Sequence, residues 1–283
     1  MNLINKLGIG TAQFGMPYGI SNNFGQTKPK EVSQILEYSH NIGINVIDTA
    51  SSYGNAENIL GCNNLNDFKI ISKFILNKND ISINEMLSSS FSRLNIKSIY
   101  GFLAHSPQNL LSKPEIWDEL KELKNEKLIH KIGFSLNEPY ELVQLLDKGI
   151  IPDLIQVPYN YFDKRFQNLL ISLKKNGCEI HSRSTFLQGL FFINPNTLPA
   201  YFDDVKDIIV SLQNNYSNNL PCALLKHVLE LDFIDIVVMG VENLSQLSKN
   251  TSMLESNIIL PDLDHFISDS ILQPSNWPIR HNG

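Results

Sequence analysis

The sequence predicts an α/β protein built as a single (β/α)8 barrel, and three observations lead there. Short β-branched apolar runs alternate with longer amphipathic stretches along most of the 283 residues, and eight runs of each kind can be counted. The short runs are continuously apolar instead of alternating, which is the pattern of parallel strands covered on both faces. Several of them also end on a side chain that can handle a proton, and in a barrel the C-terminal strand ends form the reactive face. With 42% hydrophobic residues the chain can bury a large core, as one α/β domain or as two smaller ones. Counting strands does not prove closure, so a doubly wound open sheet is the competing arrangement.

In chain order, the predicted strands are Leu7 to Thr11, Ile44 to Asp48, Lys69 to Lys73, Ile99 to His105, His130 to Gly133, Leu154 to Val157, Glu179 to Arg183 and Ile234 to Gly240. Between and after them the helical segments are Lys30 to Asn41, Ala56 to Gly61, Ile83 to Leu94, Glu115 to Lys127, Tyr140 to Lys148, Lys164 to Asn176, a long stretch from Asp203 to Leu231, and Leu244 to Leu254. Ser82 with Glu85, and Asn243 with Gln246, have capping-box spacing at two helix starts. No Gly/Ser-rich linker or charge block divides the chain. It is therefore expected to form one domain over residues 1–283, with residues 256–283 as a tail packing near the substrate pocket.

The formal charge of −6, with no basic stripe, argues against a nucleic-acid partner, whose binding depends on clustered Lys and Arg. The start of the chain lacks the basic and apolar regions of a signal peptide, and no apolar run approaches the ~20 residues of a membrane span. A cytoplasmic protein with no membrane partner is the expectation. Cys62, Cys178 and Cys222 are widely separated and form no CxxC pair, so neither a disulfide framework nor a zinc knuckle is indicated. No HExxH or GxSxG motif occurs, and no metal is expected.

The most informative stretch is Asp48-Thr49-Ala50-Ser51-Ser52-Tyr53-Gly54, which sets a carboxylate and a phenol just beyond the second strand. Lys73 and His105 end the third and fourth strands. Taken singly, a lysine at a strand end is usually solvated or paired, and a tyrosine usually packs. Together on neighbouring strands, the four describe one assembled site.

At this point the chain resembles the aldo-keto reductase superfamily, over about residues 7–250. Gly43 to Gly61 is similar to the family's second-strand signature, and Lys73 and His105 close segments similar to its next two. The resemblance implies a reductase that uses a nicotinamide cofactor to convert an aldehyde or ketone to an alcohol, with Asp48, Tyr53, Lys73 and His105 as catalytic residues. The chemistry is legible in the residues themselves. A carbonyl that accepts a hydride develops negative charge on oxygen and needs a proton donor and a polarising neighbour. Tyr53 is the expected donor, Lys73 stabilises the phenolate left behind, Asp48 holds Lys73 charged, and His105 orients the carbonyl. The alternative is a cofactor-binding regulatory or partner protein on the same barrel, with little turnover.

The resemblance also implies a cofactor site from Thr11, Asp48, Ser135, Gln156, Arg183, Ser184, Phe186, Gln188, Gly240, Gln246 and Asn250. Three positions depart from the family pattern. Leu136 stands where an Asn usually holds the carboxamide, with Asn137 next to it as a substitute. Arg183 stands where many members stack an aromatic ring on the nicotinamide, and it would stack there, meet an anion, or pair with an acidic neighbour. The resemblance implies NADP(H), but Glu242, with Lys249 as the only nearby cation, weakens the usual basic clamp on a 2′-phosphate and makes NAD(H) its rival. The pocket mouth is expected from Gln13, Phe14, Tyr18, Phe24, Ser52, Tyr161 and the tail segment Gln273 to Arg280, where Trp277 could close over the substrate or equally anchor the tail. Arg183 and Arg280 suit an anionic or phosphorylated substrate if both face the pocket. The partner is a small-molecule carbonyl compound, with a lean towards a carbohydrate-derived one, and the protein is expected as a monomer or weak homo-oligomer.

Overall fold

The computed structural model describes residues 2–76, 82–263 and 265–278. Its strands are β1 (Leu7–Gly10), β2 (Val46–Asp48), β3 (Lys69–Phe74), β4 (Ile99–Ala104), β5 (Ile129–Ser135), β6 (Leu154–Pro158), β7 (Glu179–Arg183) and β8 (Ile236–Gly240). They pair in parallel in chain order, and β8 returns to β1 with Leu7 opposite Val237 and Gly10 opposite Gly240. The sheet therefore closes, and the doubly wound alternative is excluded.

The strands are buried from both sides. Val46, Ile71, Leu103, Leu154, Ile236 and Val238 fill the barrel interior, while Ile9, Ile47, Phe102, Ile155 and Ile180 face the surrounding helices. Each such side chain contributes roughly 1.5–3 kcal/mol when fully buried, so a continuous apolar run is what this position demands.

Two helix starts behave as their spacing predicts, with one difference. The Ser82 hydroxyl accepts from Glu85 N while Glu85 Oε2 accepts from Ser82 N at 2.8 Å, a complete capping box. Asn243 Oδ1 accepts from Gln246 N at 2.9 Å, but Gln246 Oε1 turns to the N–H of Glu242 and leaves that box one-sided.

The stretch expected as one helix from Asp203 to Leu231 is two, Asp203–Tyr216 and Leu220–Leu229. Ser217 lies at φ 47°, and Pro221 has no N–H for a helix interior but suits a first turn. The helices Ala12–Gly15, Gln108–Ser112 and Asp269–Leu272 are too short to show periodicity and were not expected.

The tail packs on a second apolar cluster outside the barrel, where Leu260, Ile267, Ile271 and Leu272 meet Phe191, Phe202 and Val205. Trp277 stands edge-on to Phe202 with ring centroids 5.2 Å apart, and its Nε1 donates to Ile271 O at 3.0 Å. Trp277 thus anchors the tail and does not line the cavity at the barrel mouth. Among the described residues, no helix is long and apolar enough to cross a membrane.

Candidate active site

At the C-terminal end of the barrel, register brings successive strand ends together: Gly10 opposite Asp48, Lys73 opposite Leu103 two residues before His105, Ser135 opposite Gln156, and Pro158 opposite Arg183. The loop after β2 is tied to its neighbours through the backbone. Thr11 Oγ1 donates to Asp48 O at 3.0 Å, and Ser51 Oγ donates to Lys73 O at 3.0 Å. Gly15 and Gly54 interlock beneath Tyr53. A Cβ on Gly15 would lie 1.7 Å from Tyr53 O, and one on Gly54, at φ +53°, would lie 2.4 Å from Gly15 O. Only glycine at both positions lets the first loop brace the segment that carries the phenol.

The four candidate catalytic side chains meet there. Lys73 is wholly buried, and its Nζ donates to Asp48 Oδ2 at 2.7 Å, to Thr49 O at 2.9 Å and to the Tyr53 hydroxyl at 3.5 Å. Burial works against the ammonium, yet Asp48 and Tyr53 outweigh it and hold Lys73 above its ordinary pKa. The other oxygen of Asp48 accepts from Gln156 Nε2 at 2.7 Å, so the carboxylate is oriented from both sides. His105 stands edge-on to Tyr53 with centroids 5.8 Å apart, and its Nδ1 lies 3.1 Å from Ser52 Oγ. Burial first, and then Lys73 and Arg183, lower the His105 pKa to about 4, which keeps the ring neutral near pH 7. With Ser52 donating to Nδ1, the ring proton is assigned to Nε2.

These groups open onto a cavity of about 1620 Å³, lined among others by Thr11, Tyr18, Asp48, Tyr53, His105, Gln156, Arg183, Ser184, Phe186, Gln188, Gly240, Gln246 and Asn250. Glu242 and Lys249 lie on the same wall. Gln156 Oε1 is a buried acceptor with no hydrogen-bond partner among the described residues, which suits the amide N–H of a carboxamide. The loop after β7 carries unusual backbone, with Ser184, Leu187 and Gln188 at φ 63°, 46° and 52°. Such residues cost of order 1–3 kcal/mol each and concentrate at binding sites. The loop also crosses to the first one, where Ile20 N donates to Gln188 O at 2.9 Å and Gln188 Nε2 to the Tyr18 hydroxyl at 3.3 Å.

Other expected positions fall elsewhere. Phe14 is fully buried in the main core, because the short helix Ala12–Gly15 turns its apolar side inward. Tyr161 is buried as well and donates to Pro261 O at 2.9 Å. Ser135 is buried and does not line the cavity. Leu136 is wholly buried, and Asn137 Oδ1 accepts from Arg183 at 2.6 Å, so that oxygen is already committed. Arg280 lies outside the described residues.

Sequence reasoning missed the wall formed by Glu138, Asn194 and Asn218, which Gln273 to Ser275 of the tail, expected at the pocket mouth, complete. Arg165 Nη1 holds both oxygens of Glu138 at 2.9 Å, and Gln273 Nε2 donates to Glu138 Oε1 at 2.8 Å, which ties the tail to the rim. A capping-box pattern at Glu138 and Glu141 is the one local signal that this segment is ordered.

A closed barrel with a buried lysine–carboxylate pair behind a tyrosine at its C-terminal face defines a class of carbonyl oxidoreductases. The chain belongs to the Aldo/keto reductase family, whose sequence pattern it matches over residues 6–266. In fold it is similar to the holo form of the aldo-keto reductase AKR11C1 from Bacillus halodurans, at 21% identity and TM-score 0.70 over 89% of this chain and 87% of that one. A provisionally named aldo-keto reductase from Pseudomonas aeruginosa is also similar, at 22% identity and TM-score 0.67 over 88% and 89% of the two chains. No curated protein matches the chain by sequence.

Proposed function

We propose that the protein reduces an aldehyde or ketone to an alcohol at the expense of a reduced nicotinamide nucleotide. The observation that carries this is the fully buried Lys73, held by Asp48 at 2.7 Å and reaching the Tyr53 hydroxyl at 3.5 Å on the cavity wall. When bound, the reduced nicotinamide supplies the hydride. Tyr53 gives its proton to the oxygen that gains charge, and the Lys73 ammonium stabilises the phenolate. Asp48 keeps Lys73 charged within a dry interior, where an unpaired ammonium would be costly. Neutral His105 donates from Nε2 to the carbonyl oxygen and orients it.

Gln156 would hold the carboxamide through its unpartnered oxygen, helped by the Ser184 to Gln188 loop and by Gly240, Gln246 and Asn250 further along the cavity. NADP(H) is the expected nucleotide, and Glu242 on the wall favours NAD(H) as its competitor. The substrate is a free small molecule, with a carbohydrate-derived carbonyl as the leaning. A cytoplasmic monomer or weak homo-oligomer goes with this reading.

Titration with NADPH and NADH, followed by Trp117 and Trp277 fluorescence, combined with turnover of 4-nitrobenzaldehyde, tests it. Reduction that Tyr53→Phe abolishes supports the proposal. Nucleotide binding with no turnover of any reactive aldehyde would replace it with a cofactor-binding partner protein.

A further inference from the structure

Arg183, at the end of β7, is a cation on the cavity wall with no counter-ion among the described residues. The side chain is partly buried. Its guanidinium donates to three neutral acceptors, Leu136 O at 2.9 Å, Asn137 Oδ1 at 2.6 Å and Ser184 Oγ at 3.1 Å. Those bonds fix the guanidinium plane and use three of its five N–H groups. Among the described residues, the other carboxylates lining the cavity are engaged elsewhere, Glu242 with the Gln246 side chain. Glu138 pairs with Arg165, Asp48 pairs with Lys73, and Glu141 Oε2 accepts from the N–H groups of Asn137 and Glu138.

Arg183 also lies near enough to His105 to help keep that ring neutral, after burial and Lys73. The reacting end of the cavity therefore holds two cations, Lys73 and Arg183, against one committed carboxylate, Asp48. A partly desolvated charge left in that state is costly unless a ligand brings the opposite one.

We propose that Arg183 determines specificity by binding an oxyanion group, carboxylate or phosphate, carried by the carbonyl substrate. This rests on the carbonyl-reductase reading. The guanidinium meets the anion while Tyr53 and His105 meet the carbonyl oxygen, so the two contacts set the orientation of the molecule. Because Leu136 O and Asn137 already hold the fork, little further side-chain freedom is lost on binding. The phosphates of the nucleotide are the other anions able to reach Arg183, and the experiment separates the two.

The test compares kcat/KM within pairs of aldehydes, succinic semialdehyde against butanal and glyceraldehyde 3-phosphate against glyceraldehyde, for wild type, Arg183→Lys and Arg183→Met. Wild type is expected to favour one anionic member, and the pair that shows it identifies carboxylate or phosphate. Arg183→Met is expected to lower the anionic-to-neutral ratio about tenfold to a hundredfold, mainly through KM, with partial recovery in Arg183→Lys. Equal losses for both members of a pair, together with weaker NADPH or NADH binding, would assign Arg183 to the nucleotide and overturn the proposal. So would a wild type with no preference for either anion.

If no aldehyde turns over, the reductase reading fails by itself, and calorimetry of 4-hydroxybutanoate against butanol and of glycerol 3-phosphate against glycerol decides. Binding that depends on the anion and disappears in Arg183→Met sustains the proposal, and its absence overturns it.

Discussion

The two halves of the barrel mouth are built on different principles. On the side of β2 to β4, the charged and proton-bearing groups already have protein partners: Lys73 with Asp48, Thr49 and Tyr53, Asp48 with Gln156, and His105 with Ser52. On the side of β6 and β7, Gln156 Oε1 and Thr185 Oγ1 on the cavity wall are buried with no partner among the described residues, and the loop after β7 holds three non-glycine residues at positive φ. Thr49 Oγ1 is the exception on the first side. The first side is organised for chemistry before anything binds. The second carries unmet hydrogen bonds and local strain that a ligand can relieve, which is the physical signature of a binding surface.

Removing the proposed proton donor should break this comparison most. Tyr53→Phe is expected to reduce turnover by about 10²–10⁴ while leaving nucleotide affinity nearly as it was. Turnover and fluorescence titration on one sample check it, and equal losses in both would erase the division between the halves. Next in size, Asp48→Ala leaves Lys73 buried and uncompensated, and should destabilise the fold by roughly 3 kcal/mol. A lowered urea midpoint reports it, whereas an unchanged midpoint would mean that the pair is not truly desolvated. Gln156→Leu acts on the binding side. Loss of its free acceptor should weaken nucleotide binding about tenfold, and the spared acceptor is then of no consequence if affinity does not move.

The smallest effect is in pH. Burial holds the His105 pKa at about 4 in the folded protein, against the ordinary histidine value of 6.5. Between those values the unfolded chain binds the proton that the folded one refuses, so this contribution to stability is present above about pH 6.5 and fades as pH falls towards 4. His227, also lowered to about 4 by burial, adds in the same direction. Urea midpoints should therefore fall across that window, less steeply in His105→Gln, and NMR should show the His105 ring titrating below pH 5. A midpoint near 6.5 would mean that the ring is far better solvated than its surroundings indicate.

Much of the catalytic side is legible locally. A continuous apolar run specifies a strand, and the residue that follows it falls on the reactive face, so Asp48, Lys73 and His105 are found by reading strand ends. Tyr53 follows from its fixed distance along a loop that Gly15 and Gly54 brace. The binding side is less legible. Phe14 and Trp277 look like pocket aromatics in sequence, but a short inward-turned helix buries the first and the Phe202 cluster holds the second. Arg183 had three candidate roles, and among the described residues no acidic neighbour pairs with it.

The sequence by itself determined the strand count, the alternation with helices and the placement of Asp48, Lys73 and His105 at strand ends. These follow from burial on both faces and from the two-residue period of a strand, both readable within a short window. Tertiary structure alone decided closure, through the pairing of β8 with β1. It also decided the walls of the cavity, where Arg183 meets Leu136 and Gln273 meets Glu138 across 47 and 135 residues of chain. Such contacts depend on where loops return in space and on which side chain reaches a free polar group first, and no local pattern encodes either.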